Sequence, residues 1–258
     1  MAIGDEIRGL TSRVQAELAR ASNYQSHTEM AWRLVEKFVA RGEKLVDENP
    51  DTGDRSDGPT LVALSQSYVT RYLAESVFQT YVSLFEDYIF GLIGSWLMAY
   101  PKGIVGLDDD EGDDKLRKAD KTVPLSLITD NPDRESILRA VVDRELDRLK
   151  YRRLAAWFEY LEKRAQLGVP SRDQIEQLAE IKAARDILVH SQGIVNPTYL
   201  SKAGPRSRHA DGARLEIIEP YLRESWVLIH EVVRETSAAA IAKLEKSAIG
   251  GAAGSVGS

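Results

Sequence analysis

The stretch Arg185 to Leu200, RDILVHSQGIVNPTYL, sets an arginine, a carboxylate and a histidine close together in the chain. An arginine offers a planar cationic fork that matches a phosphate group. A histidine is the side chain whose ordinary pKa lies nearest neutrality, so it can both take and give a proton. Arg185 and His190 are therefore either a fitting set for moving protons while stabilising charge that builds on a phosphoryl centre, or a helix-end cation pair that caps carbonyls. RNA brings its own nucleophile, the 2′-hydroxyl, so its cleavage requires no metal when such groups are well placed.

Asp186 stands four residues before His190, a spacing that makes them neighbours on one helix face. There the carboxylate would orient the imidazole and favour its protonated form, unless Asp186 is simply a surface charge. Gly193 suits a left-handed helix end, which places His190 in the last turn, where the helix dipole also favours a cation. Successive helix residues turn by about 100°, so Arg185 and His190 lie about 140° apart and do not stack.

A helix over 172–192 has to position these groups. Its apolar face runs through Ile175, Leu178, Ile181, Ala184 and Leu188. Gly168-Val169-Pro170 breaks the chain before it, and Ser171 with Gln174 makes a capping box. After Gly193, Asn196 and Pro197 read as a cap and first-turn proline for a short helical turn through Leu200, with a polar group beside the cleft as the other reading of Asn196. The following loop holds Arg206, Arg208, His209 and Arg214; the first three can grip RNA or remain a solvated loop.

The rest of the chain also reads as helical. Ile7, Leu10, Val14, Leu18 and then Ala31, Leu34, Val35, Phe38 give a helical period from Asp5 to Val46, with a break at Ser22-Asn23 left open. ENPDTGDRSDGP reads as a solvated loop. A second helix is expected from Pro59 to Tyr100, with a wide aromatic stripe including Tyr81, Phe85, Tyr88 and Trp96, which makes it the spine of the core. Glu86 on that helix is either a solvent-facing acid or a buried partner for Arg185. The segment from Lys102 to Asn131 is an irregular excursion. Asn131-Pro132-Asp133 then starts a third long helix to Gln166, whose many Arg and Lys residues make a charged face. A last helix runs from Pro220 to before Gly250, carrying His230 beside its apolar face as a structural residue, and GGAAGSVGS reads as a flexible tail. Strand-type alternation occurs only around Leu215 to Ile218. The expected fold is all-α: an antiparallel bundle of four or five long helices forming one domain over 1–249, with an irregular excursion between helices two and three and a tail over 250–258.

Composition narrows the chemistry. The chain of 258 residues has no cysteine, which excludes disulfides and thiolate metal sites and fits a reducing cytoplasm. The N-terminus lacks a signal-peptide pattern, and the apolar stretch from Tyr88 to Tyr100 is shorter than the ~20 residues of a membrane span. No cofactor loop is present. Histidines are not clustered as metal ligands, and in the acidic run Asp108 to Asp114 Gly112 occupies a ligand position of the calcium-loop template. That run contains six acids, so the net charge of -6 leaves the remainder balanced and basic patches possible.

RDILVHSQGIVNPTYL resembles the signature of the HEPN superfamily, an arginine, a polar residue and a histidine after four intervening residues in all. Arg185, Asp186 and His190 match it, and the continuation Gly193, Val195, Asn196, Tyr199, Leu200 resembles that of prokaryotic members including the RiboL-PSP type. The resemblance implies a metal-independent endoribonuclease acting as a homodimer, with motif helices from two protomers facing one cleft. Arg185 would stabilise the scissile phosphate, and His190 would act as general acid or base. It also implies a setting in antiviral defence or a toxin-antitoxin pair, with an antitoxin or defence partner. Where members controlled by a partner nucleotidyltransferase carry tyrosine two residues after the histidine, this chain has Gln192. The alternative is a helical module that binds RNA, nucleotide or protein without cleavage.

Overall fold

The structure, a computed structural model, describes residues 3–104, 130 and 133–253. It is all-α, apart from a two-stranded hairpin. The elements are α1 (Ile3–Ala40), β1 (Val46–Glu48), β2 (Arg55–Asp57), α2 (Gly58–Ser67), a π-helical turn (Tyr68–Leu73), α3 (Ala74–Ala99), α4 (Arg134–Lys150), α5 (Leu154–Ala165), α6 (Arg172–His190), α7 (Pro197–Ala203) and α8 (Glu219–Ala253). The acidic run, the apolar group Val123 to Ile128 and the cap proposed at Asn131-Pro132 lie outside the described residues.

The chain packs as two compact units: 1–12 with 86–175 and 234–258, and 13–85 with 176–233. In the first unit, Ile7 of α1, Tyr88, Leu92 and Ile93 of α3, and Trp157 and Leu161 of α5 are buried. Gly91 is needed for close approach, because a Cβ there would stand 3.0 Å from Leu10 Cδ2. Ser237 of α8 sits 2.6 Å from both the Tyr88 hydroxyl and Thr11 Oγ1, so the buried hydroxyls satisfy one another.

The expected helix to Gln166 is instead two helices, α4 and α5, broken at Tyr151 to Arg153. The cap of α4 is Asp133, whose side chain accepts from the Ser136 N–H. At the break the Trp157 indole donates to the Leu149 carbonyl at 2.8 Å. Leu149 and Leu154 are both buried, whereas on one regular helix five residues would set them about 140° apart. The break lets one core take both.

In the second unit, the expected solvated loop ENPDTGDRSDGP instead supplies the turn and second strand of the β1–β2 hairpin, whose first strand starts at Val46, opposite Asp57. Asn49 holds its turn by accepting from the Asp51 N–H. Asp57 caps α2 by accepting from Thr60, with Pro59 in the first turn. The expected second helix is interrupted by the π turn at Tyr68–Leu73 and ends at Ala99. Helix α1 continues through Ser22-Asn23 and ends at Ala40, short of Val46. Around Leu215 to Ile218 the alternation is real in burial, with Leu215 and Ile217 inside and Glu216 outside. No strand forms there; the adjoining residues make one bridge, Ile194 to Arg214. Helix α8 runs past Gly250 to Ala253. Among the described residues one helical stretch, Gly58–Ala99, is long and apolar enough to cross a membrane, but 56% of its apolar window is buried inside the protein, as in a core helix.

The end of α6 shows how sequence fixes the chain next to the motif. Gln192 and Gly193 both take left-handed backbone, at φ 53° and 76°. The Gly193 N–H returns to the Ile187 carbonyl at 2.9 Å, and its own carbonyl accepts from Leu215. At Gly193 a Cβ would meet Leu188 Cδ2 at 3.3 Å as well as an unfavourable φ. Gly193→Ala is expected to cost about 1–2 kcal/mol in urea unfolding, the penalty of a left-handed L-residue. An unchanged midpoint would show that the turn relaxes freely.

Candidate functional site

Helix α6 begins as expected: the Ser171 N–H donates to Gln174 Oε1 at 2.8 Å, and the Gln174 N–H donates to Ser171 Oγ at 3.3 Å. It ends at His190 rather than Gln192. Arg185 is half-buried, donating from one terminal nitrogen to Ser83 Oγ at 3.5 Å and from the other to Asp186 Oδ1 at 3.4 Å. His190 is exposed on the final helical turn, next to Val189, 48% exposed, with Ile194 at 41% just beyond the turn.

Asp186 does not hydrogen-bond His190. Its carboxylate accepts instead from Lys182 Nζ at 3.1 and 3.3 Å and from Lys202 Nζ at 2.9 Å, as well as from Arg185. The lysines out-compete an imidazole because each delivers a full, mobile cation to the same oxygens. Burial works against the charged carboxylate, yet the bonds and charges of Lys202 and Lys182 outweigh it and hold the Asp186 pKa below the ordinary aspartate value.

The continuation Gly-x-Val-Asn-x-x-Tyr-Leu acquires a physical meaning. Val195 is buried and pairs through its backbone with Ala213 and Gly212. Asn196 caps α7 by accepting from the Tyr199 N–H at 3.0 Å, while its amide donates to Ser191 Oγ at 3.1 Å. Both ends of its side chain serve the local backbone geometry. Tyr199 is fully buried and donates to Glu180 Oε1 at 2.8 Å. Together these residues dock α7 on α6, and α7 presents Lys202 to Asp186.

Glu180 was not read from the sequence as a site residue. Only 2% exposed, it accepts from Tyr199 on one oxygen and from Tyr221 on the other, both at 2.8 Å, and Arg208 Nε lies 3.6 Å away. Burial raises its pKa against the lowering influence of the two tyrosines and Arg208. Burial, with the neighbouring Glu180 charge, pushes Tyr199 up to about 12. A signal was present: Glu180 falls four before Ala184 and seven before Ile187, placing an acid in the apolar stripe. For Lys182 the signal was its four-residue step to Asp186.

The remaining candidates have defined places. Arg208 spans the Tyr221 ring at 4.1 Å and pairs with Glu224 at 3.2 Å, and Arg206 approaches Glu176 at 4.0 Å. The His209 carbonyl accepts from Ser207 Oγ. The loop is thus tied down, and its arginines face acids. Glu86 is half-buried on α3 and belongs to the first unit. His230 stacks on Trp226, with ring centroids 5.0 Å apart. Among the described residues no cluster of His, Asp or Glu could hold a metal ion.

Linkage gives the two carboxylates opposite signatures. A lowered pKa means that Asp186 contributes stability above the ordinary aspartate value, lost as pH falls through the lowered one. For Glu180, whose pKa is raised, the native state prefers the protonated acid, so stability falls as pH rises from the ordinary glutamate value through the raised one. Thermal melts across acidic pH should show Asp186→Asn flattening the acid-side decline. An unaltered profile would show that the lysine contacts add nothing in solution.

No protein-family model matches this chain, and comparison with curated proteins and with solved structures gives no match either.

Proposed function

We propose that the protein is a HEPN-type, metal-independent endoribonuclease of the cytoplasm, an antiparallel helical bundle that cleaves RNA by attack of the 2′-hydroxyl at a site shared across a homodimer. The observation that carries this is the pairing of a half-buried Arg185 with an exposed His190 at the end of the same helix. Arg185 is held by Ser83 and Asp186, as a phosphate-binding guanidinium must be. His190 is open to substrate, and at about 140° from Arg185 it needs a facing copy of α6 to complete the set. Exposed Val189 and Ile194 around His190 offer apolar surface for such a copy.

In the proposed reaction, His190 takes the proton from the 2′-hydroxyl as its oxygen attacks phosphorus. The P–O5′ bond breaks, the leaving oxygen takes a proton from water, and Arg185 of the other protomer neutralises charge on the non-bridging oxygens. The products are a 2′,3′-cyclic phosphate and a 5′-hydroxyl. A defence or toxin-antitoxin setting is consistent with this chemistry, and an antitoxin would restrain it. Incubation of purified protein with RNA in EDTA tests the proposal: cyclic-phosphate ends are expected, and products of equal amount from the Arg185→Ala/His190→Ala protein would refute it.

The second reading, an RNA- or nucleotide-binding helical module without cleavage, is favoured by one observation. Among the described residues, His190 has no hydrogen-bond partner to orient its imidazole. An RNA-binding protein with no cyclic-phosphate product would support it.

A further inference from the structure

Three cations from two helices converge on one carboxylate beside the motif arginine. Lys182 reaches both Asp186 oxygens from one turn earlier on α6, and Lys202 reaches Oδ2 from α7 at 2.9 Å. Arg185 lies against Oδ1. The Lys182 and Asp186 side chains are mostly shielded, at 16% and 15% exposure, while Lys202 is more open at 42%.

One shielded carboxylate needs one good cationic partner. Two ammonium groups near the same oxygen also repel each other, a cost that stability alone does not reward. The capped helix α7, with Tyr199 anchored on Glu180, holds Lys202 in place to meet that cost. A carboxylate presents two oxygens sharing one negative charge, as a phosphodiester presents two non-bridging oxygens. Lysine binds either as a point charge.

We propose that Lys182 and Lys202 bind the backbone phosphate of an RNA strand next to the phosphate held by Arg185, and that the Asp186 carboxylate occupies this seat in the RNA-free protein. The proposal rests on the RNA reading of Arg185, but not on cleavage. It makes Asp186 an internal competitor of the substrate rather than a guide for His190, and makes the residues Val195 to Tyr199 the support of a phosphate site.

The test is fluorescence anisotropy of a fluorescein-labelled oligouridylate, titrated with full-length His190→Ala protein as the parent, over a range of salt. Adding Lys202→Ala should weaken binding several-fold and flatten the slope of log affinity against log salt by about 0.7, the loss of one phosphate contact on a single strand. Adding Asp186→Asn to the parent should instead tighten binding several-fold. Circular dichroism melts confirm that each variant folds, and Lys202 is exposed enough for its replacement to leave the fold intact. Unchanged affinity and slope in the Lys202→Ala protein, or weaker binding in a folded Asp186→Asn protein, overturns the proposal. Displacement of the oligonucleotide by inorganic phosphate at constant ionic strength would overturn the assignment to a strand. If the parent binds RNA as predicted while the wild type leaves RNA intact in EDTA, the ribonuclease reading fails and the phosphate site stands. If cleavage occurs but Lys202→Ala has no effect, the reverse holds, and a parent that binds no RNA refutes the phosphate site whatever the cleavage result.

Discussion

His190→Ala is expected to slow RNA cleavage by about 10²–10⁴-fold while leaving the melting temperature nearly unchanged, since general acid–base catalysis contributes on that scale. The side chain is exposed on the last turn of α6, so its removal sacrifices little packing. Arg185→Ala should lower cleavage as well, but with a measurable stability loss, because the half-buried guanidinium binds Ser83 and Asp186. Arg185→Lys should recover stability better than activity, since an ammonium cannot reproduce the planar two-nitrogen grip on a phosphate. Initial rates on a labelled RNA, together with melts of the same preparations, separate the two effects. A His190→Ala protein with wild-type rates would remove the imidazole from the chemistry.

The second large effect is structural. Glu180→Ala strands two buried tyrosine hydroxyls, Tyr199 and Tyr221, and each donor left without an acceptor costs about 1–3 kcal/mol. The same change releases Arg208 from one acid and loosens the seat of α7. Activity should therefore fall through the positioning of Lys202, although Glu180 itself meets no substrate in the proposed site. Urea unfolding checks the size of the loss. A Tyr199→Phe/Glu180→Ala double variant should be distinctly less destabilised than the sum of the singles, because both remove the same bond. Strict additivity, or a loss below about 0.5 kcal/mol, would mean that the cluster is solvated rather than buried.

Much of this arrangement was legible in the chain. The period of Ile175, Leu178, Ile181 and Ala184 announced α6, and Ser171 with Gln174 announced its start, because these signals are local and their partners lie within a turn. Asn196 was legible as a cap for the same reason. What was hidden depends on contacts distant in sequence. Lys202 reaches Asp186 across sixteen positions, and Tyr221 reaches Glu180 across forty-one, so neither spacing carries a helical signature. The Asp186–His190 expectation was sound as helix geometry, but it counted neighbours along α6 and omitted those that α7 would bring. The break at Tyr151 to Arg153 was hidden for a related reason: residues on both sides suit a helix, and only the docking of Trp157 and Leu154 in the core selects two helices over one.

The resemblance to HEPN proteins and the geometry meet at one point, that a single α6 holds its arginine and histidine on different faces. Complementation tests this directly. Purified Arg185→Ala and His190→Ala proteins, each inactive alone, are mixed and allowed to exchange subunits, and RNA cleavage is measured in EDTA. If each site takes Arg185 from one protomer and His190 from the other, random exchange makes half the dimers mixed and leaves one of their two sites intact. Cleavage should then return to about a quarter of the wild-type rate. A mixture that exchanges subunits, as shown by differently labelled protomers, yet stays as inactive as its parents would contradict the shared site.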